Sequence, residues 1–394
     1  MTIVDGLPPL TPDESAHSER LREHVAREIE GAGGWIGFAR FMSLALYAPG
    51  LGYYSAGARK FGAAGDFVTA PEVAPVFSRC IAAQCTEILQ GLGSAADVLE
   101  LGAGSGAMAA ALLAELERRD ALPGHYWILD VSADLRERQR VTIREAVPHL
   151  LERVRWLDRL PEQPFVGVIV ANEVIDALPV ERFVMRNGET RAIGVGVDSD
   201  RLRLVEARAD ASLRAAMGHV TSELGSVLPD DYQSEINLGL APWFGALAAA
   251  FERGVMLFVD YGLPRREFYA PERTRGTLLC HFRHRFHEDA LARVGLQDIT
   301  SWVDFTAVAE AAQSAGLDVA GYTTQAHFLI GCGLTEFVAN VADLDLVERV
   351  NLSRQAMMLT LPGEMGERFK VIALAKGYDA PLRGFAVRDL RHAL

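Results

Sequence analysis

Two short stretches combine residue types and spacing that suit chemistry. "ELGAGSG" sets Glu100 two residues before Gly102, with Gly104 and Gly106 at the next alternate positions. "ANEVIDALP" gathers Asn172, Glu173 and Asp176. Glycines between a strand and a helix let a ligand approach the backbone, and the amides that open the helix face it. Neighbouring carboxylates can grip a nitrogen-bearing group through charge-assisted hydrogen bonds. A glycine turn alone can also be simple tight packing of a strand on its helix, so other residues must decide its meaning. Asp130 ends the next apolar run, some two dozen residues after the glycines. An acid at that separation can accept hydrogen bonds from both hydroxyls of a ribose.

These residues need a scaffold, and the pattern around them supplies one. Strand-like runs occur at "DVLEL", "HYWILDV", "RVRWL", "FVGVIVAN" and "VMLFVDYG", and helical patterns separate the first three. Such alternation is the signature of an α/β fold with a mostly parallel sheet covered on both faces. Late in the chain "AHFLIGC" and "RFKVIALAKG" are expected to add two strands. Helices are expected from Ser18 to the glycines at 31–34 and from Val76 to Gly91. Between them lies a long glycine- and aromatic-rich loop, a kind of segment that tends to be functional. After the fourth strand, turn signals at Asn187-Gly188 and at 198–200 punctuate alternating residues, which reads as an antiparallel meander followed by helices. The expected organisation is an N-terminal helical extension at 1–92, a core at 93–182 and 254–377, an inserted α+β subdomain at 183–253, and a tail at 378–394.

Composition narrows the function. The 394 residues are 49% hydrophobic and can bury a large core, while a formal net charge of −13 leaves no footprint for nucleic acid. Apolar runs stop short of the roughly eighteen residues of a membrane span, interrupted by Glu252, Arg253 and Asp260. The N-terminal stretch carries acids and prolines where a targeting peptide would carry basic and apolar residues, so the chain reads as cytoplasmic. Four cysteines, with Cys80 and Cys85 on different faces of one expected helix, argue against a disulfide framework.

Both NAD and S-adenosylmethionine carry an adenosine that suits the glycine turn and Asp130, and the glycines cannot choose between them. Glu100 and the absence of the G-x-G-x-x-G spacing that seats a pyrophosphate favour the methyl donor. Its sulfonium and ammonium are better matched by an acidic surround. The edge motif also lacks the aromatic that stacks on a flipped base in enzymes that methylate nucleobases.

"ELGAGSGAMA", "GDFVTAPEVAPVF", "ANEVIDALPVERF" and "FVDYG", in this order, resemble the MidA family of S-adenosylmethionine-dependent methyltransferases, and "DITSWVDFTAVA" and "GEMGERFKVIALAKG" match as well. The resemblance extends from about Ala39 to Gly377. It implies a Rossmann-like class I methyltransferase sheet of seven strands, the last pair including an antiparallel one, with an insertion. That family includes the mitochondrial complex I assembly factor that dimethylates an arginine of a core subunit. The resemblance therefore implies methylation of a protein arginine, with a respiratory NADH dehydrogenase subunit as partner. A rival reading is an assembly protein that keeps the fold without turnover. Oligomeric state is left open, a homodimer included. Where relatives read "NEFFDALP", Val174 and Ile175 replace two aromatics here, and Asp130 stands where glutamate is more usual.

Roles follow for further residues. Glu173 and Asp176 are expected to hold the target nitrogen, with Asn172 as a neutral orienter; helix capping by Asp176 is the bland alternative. Glu100, the three glycines and Asp130 are expected to bind the methyl donor. Asp66, Thr69 and Glu72 in "GDFVTAPE" are expected to fold over it, an assignment the resemblance favours over service to a helix opened by Pro71 or Pro75. Asp158 is assigned to adenine and Asp260 to a wall of the substrate pocket. In "CHFRHRFHED", His281, His284 and His287 beside Cys280 suggest a metal, but no matching second cluster appears. No metal is expected, and His284 and Arg285 are assigned to peptide contact.

Overall fold

The computed structural model describes residues 6–56, 70–199, 201–339 and 345–394. The chain divides into two compact units, one of Met1–Phe67, Ile175–Leu240 and Pro264–Asp304, the other of Val68–Val174, Ala241–Leu263 and Phe305–Leu394.

Among the described residues, the second unit is built on seven strands: β1 (Asp97–Leu101), β2 (Tyr126–Leu129), β3 (Val154–Leu157), β4 (Phe165–Asn172), β5 (Phe251–Leu263), β6 (Asp318–Thr324) and β7 (Phe369–Lys376). They lie in the order β6-β7-β5-β4-β1-β2-β3. Neighbours from β5 to β3 run parallel, and β7 is antiparallel to both β5 and β6. Val168, Val170, Val255 and Leu257 are buried, as a sheet covered on both faces demands. Each such side chain contributes about 1.5–3 kcal/mol by leaving water. Helices α1 (Pro75–Leu92), α2 (Ala107–Arg118) and α3 (Ala133–Ala146) belong to this unit. Phe77, Ile81, Ile88, Leu112 and Ile143 put the apolar stripes of these helices into the same core as the strands.

One expected strand is corrected. All of "AHFLIGC" but its final cysteine lies in a helix, Gln325–Gly331, and the strand is the preceding Asp318–Thr324. A short apolar run does not distinguish the two by periodicity. Thr324 decides it locally, because its hydroxyl accepts the His327 amide and caps the helix start.

In the first unit, helix Pro12–Gly31 opens with a reciprocal capping box between Thr11 and Glu14. The expected meander is present as Glu181–Arg186, Glu189–Asp198 and Arg201–Arg208, each antiparallel to the next. Trp35–Gly37 pairs with Glu189–Asp198, and Gln233–Ile236 with Glu181–Arg186. A small sheet of Arg285–His287, Leu279–Phe282 and Asp298–Thr300 completes this unit. Among the described residues, no helix is long and apolar enough to cross a membrane.

Candidate functional site

Register brings most of the sequence-identified residues of the second unit to one edge of its sheet. Leu157, Leu129, Leu101 and Ala171 form one row across β3, β2, β1 and β4. Asp158, Asp130, Gly102 and Asn172 each stand one residue beyond it, at the carboxyl ends of the strands. Backbone bonds extend that edge: Gly102 N–H to Leu129 O at 3.0 Å, Asp130 N–H to Leu157 O at 3.2 Å, and Glu173 N–H to Val259 O at 2.9 Å. The order reverses direction between β1 and β4, the switch point outside which ligands of open α/β sheets bind.

The glycine turn leaves β1 and enters α2. Gly102, Gly104 and Gly106 have φ of 62°, 54° and 85°, in the left-handed region. Gly106 is constrained twice, because a Cβ there would lie 2.8 Å from Gln139 Cα. It occupies the N-cap of α2 with no side-chain cap, so a ligand can approach the first-turn amides without displacing one.

Glu100 is fully buried. Its Oε2 accepts the Tyr126 hydroxyl at 2.5 Å, and its Oε1 is buried with no hydrogen-bond partner among the described residues. Burial raises its pKa from the ordinary 4.5 to about 7; the Tyr126 bond opposes the rise and the charge of Asp130 adds to it. Asp130 is buried too, its Oδ1 accepting the Ser132 amide at 2.9 Å and its Oδ2 the Gln139 amide group at 2.7 Å. Asp158 is exposed.

At the end of β4, Asn172 donates to Glu173 Oε1 at 3.1 Å, while Asn172 Oδ1 is buried with no hydrogen-bond partner among the described residues. Glu173 is half-buried with φ of 54°. A non-glycine residue held in the left-handed region costs of order 1–3 kcal/mol, and such residues cluster at functional sites. Asp260 is buried on β5, where its Oδ1 accepts the Tyr261 amide at 2.9 Å and it faces Lys370 in register. Glu72, on the short helix Ala70–Val73, has a buried Oε2 with no hydrogen-bond partner among the described residues. Asp66 and Thr69 lie outside the described residues.

Asp176, His284 and Arg285 belong to the other unit. Asp176 is buried, and its carbonyl accepts the Ser301 amide at 3.0 Å. It lies within electrostatic reach of Tyr54, whose hydroxyl donates to Asp298 at 2.9 Å and whose pKa is pushed well up by burial and by both acids. His284 is exposed at a hairpin tip with φ of 60°, and Arg285 donates to Gly6 O at 2.9 Å. Among the described residues no group of three or more His, Cys, Asp and Glu is placed to hold a metal.

Tyr126 and Gln139 hydrogen-bond the candidate site's Glu100 and Asp130, and the motifs of the sequence do not single them out. Gln139 carried a signal, since it sits four residues from both Leu135 and Ile143 on the buried stripe of α3.

Residues 80–323 match the family described as "Putative S-adenosyl-L-methionine-dependent methyltransferase". The chain belongs to this family. The methyltransferase is 40% identical to a superfamily member from Burkholderia thailandensis whose crystal structure holds S-adenosyl-homocysteine, with a TM-score of 0.93 over 99% of this chain and 100% of that one. It is 27% identical to a Drosophila melanogaster protein named protein arginine methyltransferase NDUFAF7 homolog, mitochondrial, over 95% of this chain and 91% of that protein. Identity to the mouse mitochondrial protein arginine methyltransferase NDUFAF7 is 28%, over 92% and 86%. The methyltransferase uses S-adenosylmethionine, and its own residues fit that group. Gly102, Gly104 and Gly106 put no side chain at three positions of the turn, and Glu100 Oε1 and Glu72 Oε2 are buried acceptors without hydrogen-bond partners among the described residues, suited to a cationic ligand.

Proposed function

We propose that this methyltransferase modifies an arginine of a protein, with a subunit of a respiratory NADH dehydrogenase as the substrate. The relatives named protein arginine methyltransferase, which align over more than nine-tenths of this chain, carry the reading. The residues at the end of β4 agree with it in their chemistry.

Bound S-adenosylmethionine supplies a methyl group activated by its sulfonium. What the protein must add is a held nitrogen with a free lone pair and exclusion of water. A guanidinium keeps its proton up to a pKa above about 12 and presents five N–H donors in a rigid fork. Glu173 is the residue we assign to accept from that fork and to take the proton that the nitrogen loses as the new N–C bond forms. Asn172 steadies the Glu173 carboxylate and keeps a buried acceptor, Oδ1, beside it. Asp176, three residues further along the chain, is assigned as a second acceptor for the substrate. Glu100, Gly102, Gly104, Gly106, Asp130 and Asp158 are assigned to the methyl donor, joined by Asp66, Thr69 and Glu72, while Asp260, His284 and Arg285 are assigned to the polypeptide.

The test uses purified protein, methyl-labelled S-adenosylmethionine and a lysate from a strain lacking the enzyme, with the label located by mass spectrometry. A single polypeptide labelled on arginine is expected. Label on a nucleic acid or on a different side chain, or tight binding of S-adenosylhomocysteine with no label anywhere, would overturn the assignment.

A further inference from the structure

Three parts of the site converge on Gln139, which nothing in the motif pattern singles out. The side chain is fully buried on α3. Its Nε2 donates to the Gly104 carbonyl at 3.1 Å and to Asp130 Oδ2 at 2.7 Å. Its Oε1 accepts the indole N–H of Trp156, on β3, at 3.0 Å. Chemistry fixes the amide's orientation, since a carbonyl and a carboxylate accept and an indole N–H donates. Turned over, the amide would face all three neighbours wrongly. Gly106 packs against the same residue, close enough that a Cβ would meet Gln139 Cα at 2.8 Å.

We propose that Gln139 is a positioning residue for the nucleoside of the methyl donor, holding Asp130 and the glycine turn in fixed relation. The proposal rests on the reading of Asp130 as the acceptor for the ribose hydroxyls. With Ser132 anchoring Oδ1 and Gln139 anchoring Oδ2, the plane of the Asp130 carboxylate is set. An ionised carboxylate accepts at about four positions, so a set plane also fixes the directions from which further donors must come. The second Gln139 N–H ties that plane to Gly104, and Trp156 keeps the amide from rotating. A glutamine that merely fills the core would affect every ligand of the site alike. One that aims Asp130 affects ligands bearing ribose hydroxyls.

That difference is measurable by calorimetry with S-adenosylhomocysteine and its 2′,3′-dideoxy analogue. The wild type is expected to bind the natural ligand more tightly; no preference would overturn the Asp130 reading and this proposal with it. Given that preference, Gln139→Met is expected to weaken S-adenosylhomocysteine about tenfold, in keeping with loss of a hydrogen bond to a charged group, and the analogue less than about threefold. Equal weakening of both, or of neither, would overturn the role of Gln139 while leaving Asp130 intact. Trp156→Phe keeps most of the ring and removes the N–H, and it decides the matter should the Gln139 variant fail to fold. A loss of about two- to fivefold confined to the natural ligand is expected there, and no selective loss would refute the proposal.

Discussion

Glu100→Gln offers a test of how burial sets the charge at the head of the glycine turn. Wild-type Glu100 is fully buried, with the Tyr126 hydroxyl on one oxygen and no hydrogen-bond partner among the described residues on the other, and its pKa rises from 4.5 to about 7. At 1.36 kcal/mol per pH unit, ionising the folded protein costs about 3 kcal/mol more than ionising the unfolded chain. Below pH 4.5 the group is protonated in both states and that stability is fully present. As pH rises the unfolded chain releases its proton first, so stability falls until the pH has passed about 7. Linkage gives a loss of about 2.5 kcal/mol between pH 5 and pH 8 from this group. Glutamine cannot ionise and still offers its carbonyl to Tyr126. Melting temperatures of ligand-free wild type and variant across that range isolate the effect, because other titrating groups cancel in the difference. At about 2–4 °C per kcal/mol for a domain of 150–250 residues, the variant should gain about 5–10 °C on the wild type by pH 8 relative to pH 5. Parallel curves would show that Glu100 is not held toward its neutral form, and the account of the turn's electrostatics would be wrong.

Gly106→Ala places a Cβ against the Gln139 backbone at a positive φ, and a loss of at least about 2 kcal/mol is expected from left-handed strain and overlap together. Unchanged thermal stability and S-adenosylhomocysteine affinity would contradict the tight fit. Glu115 is a buried carboxylate bound by Arg118 at 2.5 Å and Arg119 at 2.7 Å, with Arg79 at 3.5 Å. Burial alone would raise its pKa, and the two closer arginines outweigh it and hold the group below 4.5. Its stabilising contribution is therefore present above pH 4.5 and lost as pH falls through the lowered value. Glu115→Gln should cost about 1 kcal/mol at pH 7, and the difference from wild type should shrink in acid, read from denaturation at both pH values.

Much of the scaffold was legible because the core strands are short apolar runs bounded by turn residues. "DVLEL" and "FVGVIVAN" match β1 and β4 to the residue, and their ends set the edge where the acids stand. Helix Gln325–Gly331 was misread because seven residues are too few to separate helical from strand periodicity, and the deciding hydrogen bond comes from a threonine just outside the apolar run. Pairing of Trp35 with Gly196 carries no local signal at all, since register between distant segments is settled by packing. The site shows the same division. Glycines and acids announce themselves by type, whereas Tyr126 and Gln139 act through what burial places beside them. Glu173 and Asp176 stand in one motif, and the boundary between the two compact units falls between them.

The most direct test of the assigned chemistry is a pair of measurements on Glu173→Gln: single-turnover methyl transfer to the labelled substrate and binding of S-adenosylhomocysteine. Glutamine keeps an acceptor for Asn172 but cannot take the proton an arginine must lose, so transfer should fall by at least about a hundredfold, the lower range for general-base catalysis. Cofactor affinity should stay within about twofold, because Glu173 is assigned to the substrate and not to the methyl donor. Transfer at the wild-type rate, or a loss of cofactor binding as large as the loss of transfer, would contradict the role given to Glu173.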